Sequence, residues 1–194
     1  MTQVHFSLFE TSLGDCGIAW RGEAVIATRL PDPSSTTTER RLAERTAGTK
    51  ADAPSVIQTV IQSIRALLAG DGTDLSGIVC DFADVDPFAQ CVYDIARTIP
   101  SGQTSTYGAI ALELGDKRRS REVGQALGRN PLPIIVPCHR VLGAGGRLTG
   151  FSAAGGVETK LKMLQIEGAQ IGGQEADEAP RLFDDLPLVV KPGG

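Results

Sequence analysis

The apolar spacing between Val56 and Leu68 constrains this chain more than any other feature. Val56, Ile57, Val60, Ile61, Ile64, Leu67 and Leu68 recur at intervals of three and four, which places them on one face of a helix. The spacing predicts an amphipathic helix from about Pro54 to Ala69, ended by Gly70-Asp71-Gly72. The segment before it has a different period. Phe6 to Phe9, Cys16 to Trp20 and Ala24 to Ala27 alternate and break at glycines, the pattern of a short antiparallel meander. Pro31 to Thr38 reads as a polar loop, Glu39 to Thr46 as a short charged helix, and Ile78 to Phe82 as a strand.

At Asp86-Pro87 the character changes, because aspartate followed by proline is a helix start. Phe88, Val92, Ile95 and Ile99 form an apolar stripe that stops at Pro100-Ser101-Gly102. Thr106 can cap a helix from Tyr107 to Leu114, halted by Gly115, and Ser120 to Leu127 follows after a basic turn. Two short helices around a glycine turn are a helix-turn-helix pattern. Ile134-Ile135-Val136 reads as a buried extended run, Gly143 to Gly156 as a glycine-rich loop, and Val157 to Glu167 as a last helix. The fold expected is an α/β (α+β) N-terminal domain with a small antiparallel sheet over 1–84. A mostly α, winged-helix-like domain with a helix-turn-helix follows over 85–168, and then an acidic tail over 169–194.

Composition narrows the function classes. No apolar run can cross a membrane, and Met1 to Phe9 lacks the basic start and apolar core of a signal peptide, which points to the cytoplasm. Four cysteines stand without a CxxC pair and only two histidines are present, so a closed zinc site has little support. His5 and Cys16 could contribute to one, but a core or surface role suits both better. The thiols are expected to be free.

One thiol stands out, in Pro137-Cys138-His139-Arg140-Val141. Cysteine attacks as thiolate, and an imidazole or a basic neighbourhood favours that form. Cys138 has both, with prolines at 131, 133 and 137 stiffening its approach. Adjacency alone favours an inert buried cysteine beside an exposed histidine. Neighbours on extended chain point apart, so a water would be the natural link between them. The surroundings favour chemistry. Between Gly115 and Arg147 stand Lys117, Arg118, Arg119, Arg121, Arg129, Arg140 and Arg147 against Asp116 and Glu122, in a chain of net charge −4. A basic patch on a helix-turn-helix suits DNA phosphates. A nucleophile beside it suggests chemistry on a base, which must be flipped out of the duplex.

With these residues in view the sequence resembles the O6-alkylguanine-DNA alkyltransferases, also called methylated-DNA–protein-cysteine methyltransferases. The resemblance rests on Pro137 to Val141 together with Thr106-Tyr107, Arg121-Glu122-Val123-Gly124, Asn130-Pro131, Pro133 to Val136 and the loop before the last helix, and it covers about residues 86–168. It implies direct, stoichiometric transfer of an alkyl group from O6-alkylguanine in double-stranded DNA to Cys138, with no cofactor; no metal is expected, and a monomer is the expected state. It implies His139 as a base acting through water, Glu167 orienting it, Lys160 close to the thiolate, and Tyr107 donating to guanine N3. Arg121 would fill the gap left by the flipped nucleotide, with Arg118, Arg119, Gly124 and Thr106 at the DNA. Asn130 would tie the helix pair to the active-site turn. Val141, Ser152, Pro133 and Phe151 would shape the guanine pocket. Glu167 and Lys160 could otherwise be solvated charges, and Tyr107 a core side chain.

Two features depart from the family pattern. The segment Phe151 to Gly156 is about two residues longer than usual, with Phe where Tyr is common, which implies a differently shaped pocket. Glu122 stands where small neutral residues are usual, which costs DNA affinity unless an arginine pairs with it. In the tail, Leu182 to Leu188 could dock on another repair or replication protein or pack on the body. Three rival functions compete: a non-reactive module that binds alkylated DNA and recruits repair factors, an alkylation-sensing transcriptional regulator, and a cysteine hydrolase. The presence of Cys138 speaks against the first, the lack of a regulatory domain against the second, and the lack of an oxyanion-hole signature against the third.

Overall fold

The computed structural model describes residues 3–171. The N-terminal meander forms as its alternation requires. β1 (Val4–Thr11), β2 (Gly14–Arg21) and β3 (Ala24–Arg29) pair antiparallel, with a register shift between Ala19 and Trp20. A two-residue strand, β4 (Thr49–Lys50), adds parallel to β1, giving the order β3-β2-β1-β4. Two residues carry no readable period, so β4 was invisible to pattern.

α1 spans Ser35–Thr46, four residues earlier than the charge pattern suggested. Ser34 caps it by accepting from Thr37 N, and the threonines that read as loop are its first turn. α1 lies on one face of the sheet, where Leu42 packs with Phe6, Ala19 and Ala27. α2 (Ser55–Leu68) buries Ile57, Val60, Ile61, Ile64, Leu67 and Leu68 of the stripe that its spacing set, while Val56, in the first turn, is exposed. Ile78–Phe82 is not a strand: Cys80 alone bridges Val25, because Asp81 turns the chain by accepting from Ala83 N.

α3 (Pro87–Arg97) starts with Asp86 as cap and Pro87 in the first turn. Its buried face is Ala89, Val92, Tyr93 and Ala96, rotated from the stripe that the sequence suggested. Phe88 lies at the edge of this face, under the Arg119 guanidinium at 3.9 Å from its ring centre. α4 (Tyr107–Glu113) and α5 (Ser120–Gly128) flank a basic 3-10 turn at Lys117–Arg119. β5 (Ser105–Thr106) pairs with β6 (Val141–Leu142), and α6 (Gly156–Ile166) closes the described chain. The proposed docking segment 182–188 lies outside the described residues, as does the tail from 172 onward.

The main apolar cluster runs through both halves, from Phe9 and Trp20 through Ile64 and Val92 to Val136 and Met163. Backbone bonds tie the halves directly: Thr28 N donates to Pro131 O at 3.0 Å, and Thr28 Oγ1 donates to Pro133 O at 2.5 Å. The sheet thereby anchors the loop that precedes Cys138. No described helix is long and apolar enough to cross a membrane.

Gly17 sits where α1 presses closest to the sheet. A Cβ there would come within 2.6 Å of Leu42 Cδ2. Gly17→Ala should therefore destabilise the fold by about 1–3 kcal/mol through overpacking, read as a lower denaturant midpoint with an unchanged m-value. An unchanged midpoint would show that α1 shifts freely.

Candidate active site

The segment from Asn130 to Arg140 is a wound loop, not the extended run that its β-branched residues suggested. Val136 N donates to Leu132 O and Cys138 N to Val136 O, both at 2.8 Å. Ile134 sits at φ 80°, a region costly for a β-branched residue. Asn130 holds this shape from inside: its Nδ2 donates to Val136 O at 2.9 Å, and its Oδ1 accepts from Leu132 N at 2.8 Å. The chain then enters a 3-10 turn over Cys138–Arg140.

In that turn adjacent side chains diverge. Cys138 faces a cavity of about 340 Å³, which it lines with Tyr107, Gly124, Pro133, Phe151 and Ser152. His139 points the other way, into the protein, and is fully buried. Its Nε2 lies 2.9 Å from Glu167 Oε1. Arg140 clasps the same carboxylate twice at 2.8 Å, and its Nη1 donates to Ile99 O at 2.5 Å. Burial alone would raise the Glu167 carboxyl, but the hydrogen bonds from His139 and Arg140 and the Arg140 charge bring it down to about 2. An ionised carboxylate can only accept, so His139 carries its proton on Nε2. Its Nδ1 is buried without a protein partner and keeps its lone pair. Burial lowers the affinity of His139 for a second proton, which leaves it neutral.

The structure corrects the expectation that its neighbours make Cys138 a resting thiolate. Burial raises the Cys138 thiol, and a hydrogen bond from Asn130 and the charge of Lys160 only partly offset this. The thiol is protonated at rest and must lose its proton on demand. Lys160 is itself fully buried. It donates to Val141 O at 2.6 Å and stands 5.8 Å from the Tyr107 ring centre. Burial lowers its pKa while Cys138 raises it. Cys16 provides the contrast: burial pushes it up to about 12 with no cation among the causes. Among the described residues no three His, Cys, Asp or Glu side chains group as a metal site.

The remaining residues singled out from the sequence fall into two places. Val141 is buried beside Lys160, and Ser152 Oγ donates to Gly128 O at 2.9 Å, which pins the Phe151 loop to the end of α5. Tyr107 accepts from Thr149 Oγ1 at 3.2 Å and lines both the thiol cavity and an outer groove of about 680 Å³ with Thr106, Lys117 and Arg121. Thr106 Oγ1 caps α4. Arg118 pairs with Asp116 at 3.0 Å, and Arg119 pairs with Glu122 at 2.7 Å while stacking on Phe88. Arg119 thus neutralises the carboxylate that departs from the family pattern. Arg121 is exposed and forms no ion pair among the described residues.

The sequence reading missed residues from the opposite half of the chain. Thr28, Arg29, Leu30 and Arg45 line the thiol cavity, and nothing in their local pattern marked them. Arg140 was visible only as charge, because its clasp on Glu167 is a tertiary contact.

Residues 87–169 match the family model described as 6-O-methylguanine DNA methyltransferase, DNA binding domain. The methylated-DNA–protein-cysteine methyltransferase of Mycobacterium bovis is 40% identical over 114 residues, which are 59% of this chain and 67% of that protein. The chain belongs to the methylated-DNA–protein-cysteine methyltransferase family. A family member from Methanothermobacter thermautotrophicus is 37% identical over 121 residues, covering 62% of this chain and 66% of that one, just under two thirds of its length. Structural likeness to the methyltransferase family extends over more of the chain. The Mycobacterium tuberculosis O6-methylguanine methyltransferase superposes with a TM-score of 0.70 at 32% identity, covering 86% of this chain and 93% of that one. Mycobacterium tuberculosis OGT in complex with DNA gives a TM-score of 0.69 at 32% identity, over 84% of this chain and 92% of that one.

Glu167 supplies a pH prediction. Its folded pKa lies near 2, below the ordinary 4.5. Its stabilising contribution is therefore complete above about pH 4.5 and lost as pH falls toward 2. Glu167→Gln should destabilise the protein at neutral pH by about 3–5 kcal/mol, because Arg140 is left as an uncompensated buried charge. The same change should flatten the acid limb of stability against pH. Denaturant titrations at a series of pH values test this, and an acid limb as steep in Glu167→Gln as in the parent would refute it.

Proposed function

We propose that the protein repairs DNA by moving an alkyl group from O6 of a flipped guanine onto Cys138, once per molecule. The observation that carries this reading is a thiol on a cavity wall backed by a histidine whose tautomer is fixed by a buried carboxylate. The helical half supplies the chemistry and the DNA surface, and the sheet half braces the loop before Cys138. This division near residue 84 is part of the proposal, as are a monomeric state and action in the cytoplasm or nucleoid.

The reaction needs no co-reactant. When the lesion base fills the cavity, the Cys138 proton passes through a water to His139 Nδ1. Glu167 stabilises the imidazolium, and Lys160 the thiolate. Sulfur then forms a bond to the alkyl carbon as the carbon–O6 bond breaks, and the electron pair moves into the guanine ring. Tyr107 donates its hydroxyl proton toward N3, which is leaving-group catalysis. Lys160, close to the Tyr107 ring, offsets the charge that develops there. Pro133 and Phe151 wall the base, and backbone groups of Cys138, Val141 and Ser152 recognise its edge. A thioether cannot be reversed by anything in the site.

The DNA surface is the outer groove around Tyr107, with Arg121 entering the gap left by the extruded nucleotide. Arg118 and Arg119 flank the approach, paired with Asp116 and Glu122 until phosphates compete for them. Gly124 fits this role. A Cβ there would meet the Tyr107 ring at an ordinary 3.7 Å, so internal packing does not require glycine. The absence of a side chain instead lets a nucleic-acid backbone approach α5 closely.

Two measurements test the reading. The protein is mixed with duplex DNA carrying O6-methylguanine and weighed intact. One added methyl group mapping to Cys138, and none in Cys138→Ser, is expected. An unchanged mass with tight lesion binding would favour the non-reactive binding module instead. Gly124→Ala should raise stability by about 0.5–1 kcal/mol through helix propensity while weakening duplex affinity. Equal or tighter duplex binding by that variant would remove α5 from the DNA surface.

A further inference from the structure

The mouth of the thiol cavity carries a charge arrangement that the reaction does not use. The cavity is lined by Arg29, Arg45 and Arg129 and by no carboxylate. Arg29 and Arg45 come from β3 and α1 of the sheet half, far in sequence from the helix-turn-helix. The Arg29 guanidinium is fixed by buried Asp32, which accepts from its Nε at 2.5 Å and its Nη2 at 3.1 Å. Asp32 is shared with Arg41, so one carboxylate faces two guanidiniums. Arg45 donates only to Arg129 O, at 3.4 Å, and neither Arg45 nor Arg129 forms an ion pair among the described residues. Arg45 and Arg129 also line a second cavity with Asp81, Asp84 and Asp86, where Arg21 engages Asp81 and Asp84.

A neutral base does not call for three guanidiniums, whereas an anion delivered with it does. Every nucleotide turned out of a duplex brings its own phosphodiester to the mouth of the pocket that receives its base. We infer that Arg29, Arg45 and Arg129 form an anion site for the phosphodiester of the extruded nucleotide. The sheet half is thereby a working part of the DNA interface. This rests on the alkyl-transfer reading above. A carboxylate on the alkyl adduct would present the same chemistry, and the experiment separates the two sources.

Single-turnover rates and duplex affinities are measured for the parent, Arg45→Ala and Arg29→Ala. The substrates are O6-methylguanine duplex DNA, free O6-benzylguanine base, which has no phosphate, and O6-carboxymethylguanine both in duplex and as free base. Arg45 is exposed and tests the site without disturbing Asp32, and reaction with the free base doubles as a check of folding. We expect Arg45→Ala to lower the slope of log affinity against log salt by about one on duplex DNA. The duplex rate should fall at least several-fold more than the free-base rate. An unchanged salt slope, or equal losses with duplex and free base, would overturn the inference. A loss confined to both carboxymethyl substrates would also overturn it by assigning the arginines to the adduct. Absence of transfer from any substrate in the parent protein would instead sink the alkyl-transfer reading itself.

Discussion

The Glu167 carboxylate is the point on which the site depends. It is buried at the end of α6, and His139 and Arg140 both bind it. Arg140 also reaches the carbonyl of Ile99, beyond the end of α3, so one carboxylate links two helix ends to the turn that carries Cys138. It fixes which imidazole nitrogen carries hydrogen, and its charge balances Arg140 in a place where neither ion could stand alone. Without it, either imidazole nitrogen could carry the hydrogen.

Around this anchor the structure holds the candidate nucleophile in its protonated form. Burial keeps the Cys138 thiol protonated and His139 neutral, so neither is charged at rest. The same burial makes a proton transfer between them consequential, because charges formed in a dry site interact strongly. Lys160 and Asn130 favour the thiolate without forcing it. In the proposed reaction the arriving base completes the site, and this restricts thiolate formation to the bound state. The loop at Ile134 carries the cost of holding the cysteine in place. Its positive φ is maintained by Asn130 from within and by Thr28 from the sheet.

The acidic net charge of the chain conceals a divided surface. The basic residues of the helix-turn-helix are partly neutralised in place, Arg118 by Asp116 and Arg119 by Glu122, which leaves Lys117 and Arg121 without an ion pair among the described residues beside the groove at Tyr107. A second group of arginines converges at the cavity mouth from β3, α1 and the end of α5. The thiol cavity therefore lies between two positive regions of separate sequence origin, and a strand of nucleic acid could run from one to the other.

The sequence by itself determined the helices with strong period or caps, the antiparallel meander and the identity of the candidate nucleophile. These are local properties: the α2 stripe, Asp86-Pro87 and Pro137 to Val141 act on their immediate neighbours and are legible without a fold. Resemblance added Glu167, Lys160 and Tyr107, which no local pattern could join to Cys138. Only the tertiary structure decided that Glu167 is shared with Arg140, that the thiol is protonated at rest, that Asn130 and Thr28 hold a strained turn where an extended run was expected, and that Arg29 and Arg45 reach the cavity. Each of these depends on burial or on contacts between residues far apart in the chain. Desolvation and charge pairing are set by the surroundings that folding creates, and a linear order of residues does not specify them.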